Sequence, residues 1–277
     1  MEIRGRYRYF FDEKTPLSTG AFGRTFKGIC METGEAVRIK IRSADFPVSE
    51  ELPAAVCPPI REILKAGKEL KVVIETFVEG TDLKNLLKGE GRARDAEDIL
   101  SMAESLGQDL ARFHEAGWVH GDVKPSNIIN TSGLGMAAWR LIDLDTAAPI
   151  GRRWAPYSFV YAPPELVLGH KDLYNASGDI FSLALVLWEY WTGAHYLKAD
   201  HPAALLQMQI SCPMPAHRRI PKEALKVLRK AATLPVFPRP PQTLPKTLQV
   251  QGCLQALEQR FHHVQDFVAA LRKALHS

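Results

Sequence analysis

Cysteine is scarce in this chain, with 4 among 277 residues. Cys30, Cys57, Cys212 and Cys253 lie far apart, without a CxxC or any paired spacing. That argues against a disulfide framework and for reduced, buried thiols in a reducing compartment. Long apolar runs are also lacking. The most apolar stretch, residues 180–188, is about half of what a bilayer span requires. The opening residues carry Glu2, Arg4, Arg6 and Arg8 where a secretory signal would be apolar. The expectation is a cytoplasmic protein with no membrane partner. A strong charge of one sign is missing too: 35 Lys and Arg against 31 Asp and Glu leave +4. That excess is scattered, so no nucleic-acid partner is expected. Internal repeats are absent. What is present is 46% hydrophobic and 24% charged residues, the balance of an ordinary soluble globule with a sizeable core.

The hydrophobic period changes once along the chain. Residues 7–11, 25–30, 36–41, 62–65 and 70–78 are rich in β-branched and aromatic residues, and turn signals at Thr33-Gly34 and 66–68 separate them. From Thr81 onward the period is helical. Asp95 to Asp98 supply an N-cap and an acidic first turn. Ile99, Leu100, Ala103, Leu106, Leu110 and Phe113 then recur three or four apart up to Gly117. A helix over 177–191, stopped at Gly193, is apolar almost all round and belongs inside a lobe. An amphipathic helix over 264–275 follows a proline-rich segment, 235–245, that reads as an ordered loop. The expected class is α+β, in one domain of two parts: a small antiparallel β-sheet lobe over 1–79 and a larger, mainly helical lobe over 80–277.

Four segments carry chemistry. Residues 18–25, with Ser18, Gly20 and Gly23, form a glycine-rich turn between two strands. Taken alone it marks only a hairpin, but glycines let backbone amides approach phosphate oxygens. Val37-Arg38-Ile39-Lys40-Ile41 follows, and its lysine can reach the α and β phosphates of a nucleotide. His120-Gly121-Asp122-Val123-Lys124-Pro125-Ser126-Asn127 is the most specific segment. Phosphoryl transfer needs a carboxylate at the attacking hydroxyl, a cation at the moving phosphate and metal ligands. Asp122, Lys124 and Asn127 answer these needs in turn. Leu141-Ile142-Asp143-Leu144-Asp145 delivers a further carboxylate from an apolar strand, so Asp143 and Asn127 are the metal candidates.

With Tyr161-Ala162-Pro163-Pro164-Glu165 and the run from Gly178-Asp179 to Thr192-Gly193, these segments resemble the eukaryotic-like Ser/Thr protein kinase family, in order and spacing, from about residue 9 to 271. The resemblance implies a two-lobed protein kinase fold using ATP and Mg2+, with a Ser/Thr protein substrate and a monomeric chain. It implies catalytic roles for Asp122 and Lys124. It places Ser18, Gly20, Gly23, Lys40, Glu75, Asn127 and Asp143 at the nucleotide and its metal. In that family the helix aspartate, here Asp179, holds the catalytic-loop backbone. A late arginine pairs with Glu165, and Arg239 is preferred over Arg260. Ser158 stands where the family has a Thr touching the catalytic Asp.

Departures keep other readings open. Ser18 replaces a glycine, Thr25 a valine, Gly121 an arginine and Asp145 a glycine. Without that arginine, activity is not expected to need phosphorylation of 146–158. Lys40's usual glutamate partner has only Glu50 and Glu51 as candidates, in a segment broken by Pro47, Pro53, Pro58 and Pro59. Arg38 lies where a small alanine covers adenine, and Glu75 is its plausible partner. Such a pair would occlude the slot; alternatively Arg38 stacks on the base, or the register slips and Arg38 replaces Lys40. A pseudokinase with impaired ATP binding is therefore the first alternative. His-Gly-Asp also occurs in small-molecule phosphotransferases of the aminoglycoside and choline kinase type, the second alternative.

Overall fold

Along residues 36–43 the side chains alternate between two environments, and that alternation organises the first half of the fold. A computed structural model describes residues 1–20, 23–46, 52, 59–89, 94–132, 138–152 and 160–276. The chain divides into two units, Met1–Glu79 with Ile142–Asp145, and Gly80–Leu141 with Thr146–Ser277.

The first unit is built on strands β1 (Glu2–Arg4), β2 (Arg8–Phe11), β3 (Ser18–Gly20), β4 (Gly23–Cys30), β5 (Ala36–Ser43), β6 (Ile60–Ala66) and β7 (Leu70–Thr76). They pair antiparallel in the order β1-β2-β4-β5-β7-β6, with β3 against β4. Successive side chains of a strand point to opposite faces. Tyr9, Phe11, Phe26, Cys30, Val37, Ile39, Val72 and Ile74 therefore form one core on one face. Thr25, Arg38, Lys40, Arg42 and Glu75 fall on the other by the same register. The Glu62 carboxylate on β6 accepts from the Tyr9 hydroxyl at 2.6 Å and from the Arg6 and Tyr7 amides, which curls the sheet toward its far edge. Gly23 cannot carry a side chain: its φ is 122°, and a Cβ there would stand 2.0 Å from the Ile41 carbonyl oxygen.

The second unit runs β8 (Thr81–Asp82), α1 (Leu83–Lys88), α2 (Ala96–Glu115), β9 (Trp118–Val119), β10 (Ile128–Asn130), β11 (Trp139–Leu141), β12 (Ala148–Pro149), α3 (Pro164–Val167), α4 (Ala176–Thr192), α5 (Pro202–Ser211), α6 (Lys222–Ala231), α7 (Lys246–Gln259) and α8 (Val264–Leu275). Asp95 and Asp98 form a reciprocal capping box at the start of α2. Gly193, at φ 90°, ends α4 in the left-handed turn that glycine tolerates. The apolar stripe of α2, nearly every face of α4, and one face each of α6 and α8 share one core. The three-stranded sheet β11-β10-β8 and the pair β12-β9 hold the strands that flank the loop 120–127, β9 before it and β10 after it.

One fold-level expectation is corrected. The arginine on Glu165 is Arg260, whose Nη1 and Nη2 reach its two carboxylate oxygens at 2.8 and 3.2 Å, both side chains wholly buried. Arg239 is exposed, and a solvated guanidinium has no need of an interior carboxylate.

Candidate active site

The period of two that sends Val37 and Ile39 into the core sends Arg38, Lys40 and Arg42 to the opposite face of β5. Lys40 is buried there with a side-chain exposure of 1%, so its ammonium requires partners. Among the described residues it has three: Glu75 Oε1 at 2.7 Å, Asp143 Oδ1 at 2.8 Å and Asp145 Oδ1 at 2.9 Å. Arg42 holds Asp145 in turn, donating to Oδ2 from Nε at 3.0 Å and Nη2 at 2.8 Å. The Arg42 guanidinium is itself fixed by the Thr25 hydroxyl and the Arg24 carbonyl. Burial would lower the Lys40 pKa, but Asp143, Asp145 and Glu75 overcome it and hold the ammonium charged. Burial pushes Glu75 up, against the pull of Lys40, because one lysine is shared among three carboxylates. Asp143 has φ 75°, a left-handed conformation rare outside glycine and characteristic of functional sites.

Two expectations about this cluster are overturned. Glu75 does not pair with Arg38, although the two face each other in the β5–β7 register. Its bonded oxygen goes to Lys40, its diagonal neighbour, within reach of a long side chain. The physical reason is burial: half-buried Arg38 can extend toward solvent, whereas Lys40 cannot shed its charge. Nor does the register slip, since Lys40 lies opposite Thr25 and Val73 and is the lysine that meets Asp143. Glu50, Glu51 and Ser158 lie outside the described residues.

In the second unit, the loop 120–127 is fastened from below by Asp179 on α4. Its Oδ2 accepts from the His120 amide and its Oδ1 from the Gly121 amide, each at 2.8 Å. The Tyr174 hydroxyl at 2.8 Å and His114 Nε2 at 3.0 Å complete its shell. Burial alone would raise this carboxyl. The hydrogen bond and charge of His114, with His120 and the Gly121 amide, reverse that and hold it at about 2. Gly121 bends at φ 80°, suited to glycine. On this support Asp122 Oδ2 accepts from Lys124 Nζ and, at 3.1 Å, from Asn127 Nδ2, which also binds the Asp122 carbonyl at 3.0 Å. Asp122, Lys124 and Asn127 therefore meet as their spacing predicts.

Magnesium takes hard oxygen ligands, using one or two carboxylates together with phosphates and waters. The carboxylates of Asp143 and Asp145 and the amide oxygen of Asn127 are donors of that kind. The Asp143 side chain is 31% exposed, so it can turn to a ligand.

A cavity of about 860 Å³ opens in the second unit beside Lys124 and Ser126, walled by Tyr161, Glu189, His195 and Lys84. The Tyr161 hydroxyl donates to Glu189 Oε2 at 2.6 Å. His195 meets Tyr161 edge-on, stacks on Tyr196, and accepts the Leu197 amide through Nδ1. Burial depresses its pKa to about 4. Between pH 6.5 and 4 the unfolded chain then binds a proton the folded chain refuses, so this residue erodes stability as pH falls. From pH 7 to 5 the loss should be about 2 kcal/mol relative to a His195→Asn variant. Paired urea titrations at both values measure it; parallel pH dependences would refute the assignment.

Arg42, Asp145, His114, Tyr174 and Glu189 are site residues that the sequence reading left without these partners. One of them had a visible signal: Arg42 lies two beyond Lys40 and so shares a face of β5 with it.

Comparison with known proteins gives the family. A family model described as "Protein kinase domain" matches residues 11–249. The probable serine/threonine-protein kinase pknA2 of Bifidobacterium longum is 26% identical over 229 residues, covering 74% of this chain and 28% of that protein. The serine/threonine-protein kinase PknA of Mycobacterium tuberculosis is 26% identical over 235 residues, covering 77% and 53%. The serine/threonine-protein kinase PkaB of Streptomyces coelicolor is 31% identical over 183 residues, covering 61% and 42%. The chain thus spans about half or less of the length of these relatives. Because the family match takes in the glycine turn, Lys40, the 120–127 loop and Asp143 in one continuous stretch, the chain belongs to the protein kinase domain family and has its two-lobed fold.

Proposed function

We propose that this chain transfers the γ-phosphate of ATP to serine or threonine hydroxyls of proteins. The observation that carries the reading is the Asp122 carboxylate with Lys124 and Asn127 on it, on a loop that Asp179 anchors. In the reaction the acceptor oxygen bonds to the γ-phosphorus, the bond to ADP breaks, and Asp122 takes the hydroxyl proton. Lys124 can leave Asp122 for the moving phosphoryl group and offset its charge. Lys40 orients the α and β phosphates, under amides of the turn bearing Ser18, Gly20 and Gly23. Asp143 and Asn127 would hold Mg2+, which supplies charge neutralisation at the phosphates.

A protein acceptor is favoured by the open cavity beside Lys124 and Ser126, which has room for a peptide segment, and by the likeness to serine/threonine-protein kinases. The pseudokinase reading drew on an Arg38–Glu75 pair across the adenine slot and on the proline-broken segment of Glu50 and Glu51; Glu75 bonds Lys40 instead, and that segment lies outside the described residues.

The test offers labelled ATP, magnesium and two acceptors together, a basic protein and an aminoglycoside or choline. Label on protein Ser and Thr is expected. Label on the small acceptor alone would support the second alternative, and no transfer together with weak or absent nucleotide binding the first. Activity should also survive phosphatase treatment, because Gly121 offers no guanidinium to grip a phosphate. Loss of activity on dephosphorylation, restored by autophosphorylation, would contradict that.

A further inference from the structure

Among the described residues Lys40 has three carboxylate partners, and they are not equivalent. Asp143 is the most open of them, with 31% of its side chain exposed, and is the carboxylate with metal-ligand chemistry. Asp145 is shared, one oxygen on Lys40 and the other on Arg42. Glu75 is closed in with Lys40, each side chain 1% exposed, and its Oε2 is buried without a hydrogen-bond partner among the described residues. A carboxylate so placed sits in an otherwise apolar strand run, Val72-Val73-Ile74, where burying an anion without function is costly.

We infer that Glu75, from strand β7, is the positioning residue that keeps Lys40 aimed at the nucleotide phosphates once Asp143 turns to the metal. The inference rests on the phosphotransferase reading. A magnesium ion on the Asp143 carboxylate would weaken it as an acceptor for Lys40 and draw it away. A lysine with Asp143 as its chief anchor would compete with the metal for that oxygen. With Glu75 on one side and the Arg42-tethered Asp145 on the other, Lys40 stays in place without Asp143. The strand geometry suits this: Glu75 is diagonal to Lys40 on paired strands β5 and β7, so the anchor is as rigid as the sheet. Among the described residues, Lys40 and Glu75 are thus both fixed by strands of one sheet.

The experiment measures Mg2+-dependent ADP binding by calorimetry, with melting temperature recorded, for wild type, Glu75→Gln and Glu75→Asp. In Glu75→Gln, Lys40 leans on Asp143, so the magnesium concentration for half-maximal ADP binding should rise about tenfold, roughly the effect of 1.4 kcal/mol. Glu75→Asp, which keeps the charge on a shorter arm, should recover part of that shift, and it carries the test alone if the glutamine variant does not fold. In turnover, the KM for ATP should rise with the magnesium requirement, and saturating magnesium should restore most of kcat. A merely structural Glu75 would lower the melting temperature and leave the magnesium midpoint unmoved, which overturns the inference. A brake that withholds Lys40 from phosphate would make Glu75→Gln bind ADP more tightly, which also overturns it. Wild type that binds no nucleotide would instead overturn the phosphotransferase reading, and this inference with it.

Discussion

Asp122→Asn should lower kcat by about 10²–10⁴-fold, equivalent to roughly 3–5 kcal/mol of transition-state stabilisation, with the melting temperature nearly unchanged. Asparagine keeps the shape of the side chain and an oxygen that can accept from Lys124 and Asn127. The loop itself is held by Asp179 through the His120 and Gly121 amides, not by the Asp122 carboxylate. The substitution removes a base and a negative charge, and little else. Nucleotide affinity should change by less than the rate, because Asp122 addresses the acceptor hydroxyl rather than ATP. Steady-state kinetics on the purified variant, beside a thermal melt, measure both. Wild-type turnover in Asp122→Asn would remove this residue from the chemistry.

Arg260→Met should destabilise the protein by about 3–5 kcal/mol, the usual cost of leaving a buried partner uncompensated. Glu165 and Arg260 are both fully buried, and their bidentate contact joins α3 to the end of α7 across 95 residues. Arg260 also donates to the Thr233 carbonyl at 3.0 Å and lies over the Phe181 ring, so more than one contact is lost. A Glu165→Met/Arg260→Met double variant should recover at least half of the loss, because the penalty comes from the stranded carboxylate and not from the absent pair. Chemical denaturation of the four members of the cycle decides the matter. A single-variant effect below about 1 kcal/mol would show that the pair is solvated in practice.

Elements whose pattern is local were legible from residues alone. The Asp95 cap and the apolar period behind it mark α2 within a residue, and the unbroken apolar surface of 177–191 marks α4 as interior. Asp122, Lys124 and Asn127 could be assigned together because five residues of loop force them to be neighbours. What was not legible is the choice of partner among like-charged side chains far apart in sequence. Arg239 and Arg260 are equivalent as text, and only burial separates them. Arg38 and Lys40 share a strand face, and both lie within reach of Glu75. The direct register favours Arg38, yet desolvation hands the carboxylate to Lys40. Asp145 read only as the replacement of a glycine, because its value comes from Arg42, about a hundred residues earlier, which no spacing rule connects to it.

The central claim is that the Lys40 and Asp122 clusters serve one phosphoryl transfer to protein hydroxyls. The most direct measurement is a single turnover with limiting γ-labelled ATP, magnesium and excess protein acceptor, followed by phosphoamino-acid analysis. The account predicts label moving from ATP to serine and threonine with wild-type protein, and ATP retained but untransferred with Asp122→Asn. Label that stays on ATP with the wild-type protein, despite measured nucleotide binding, would contradict it.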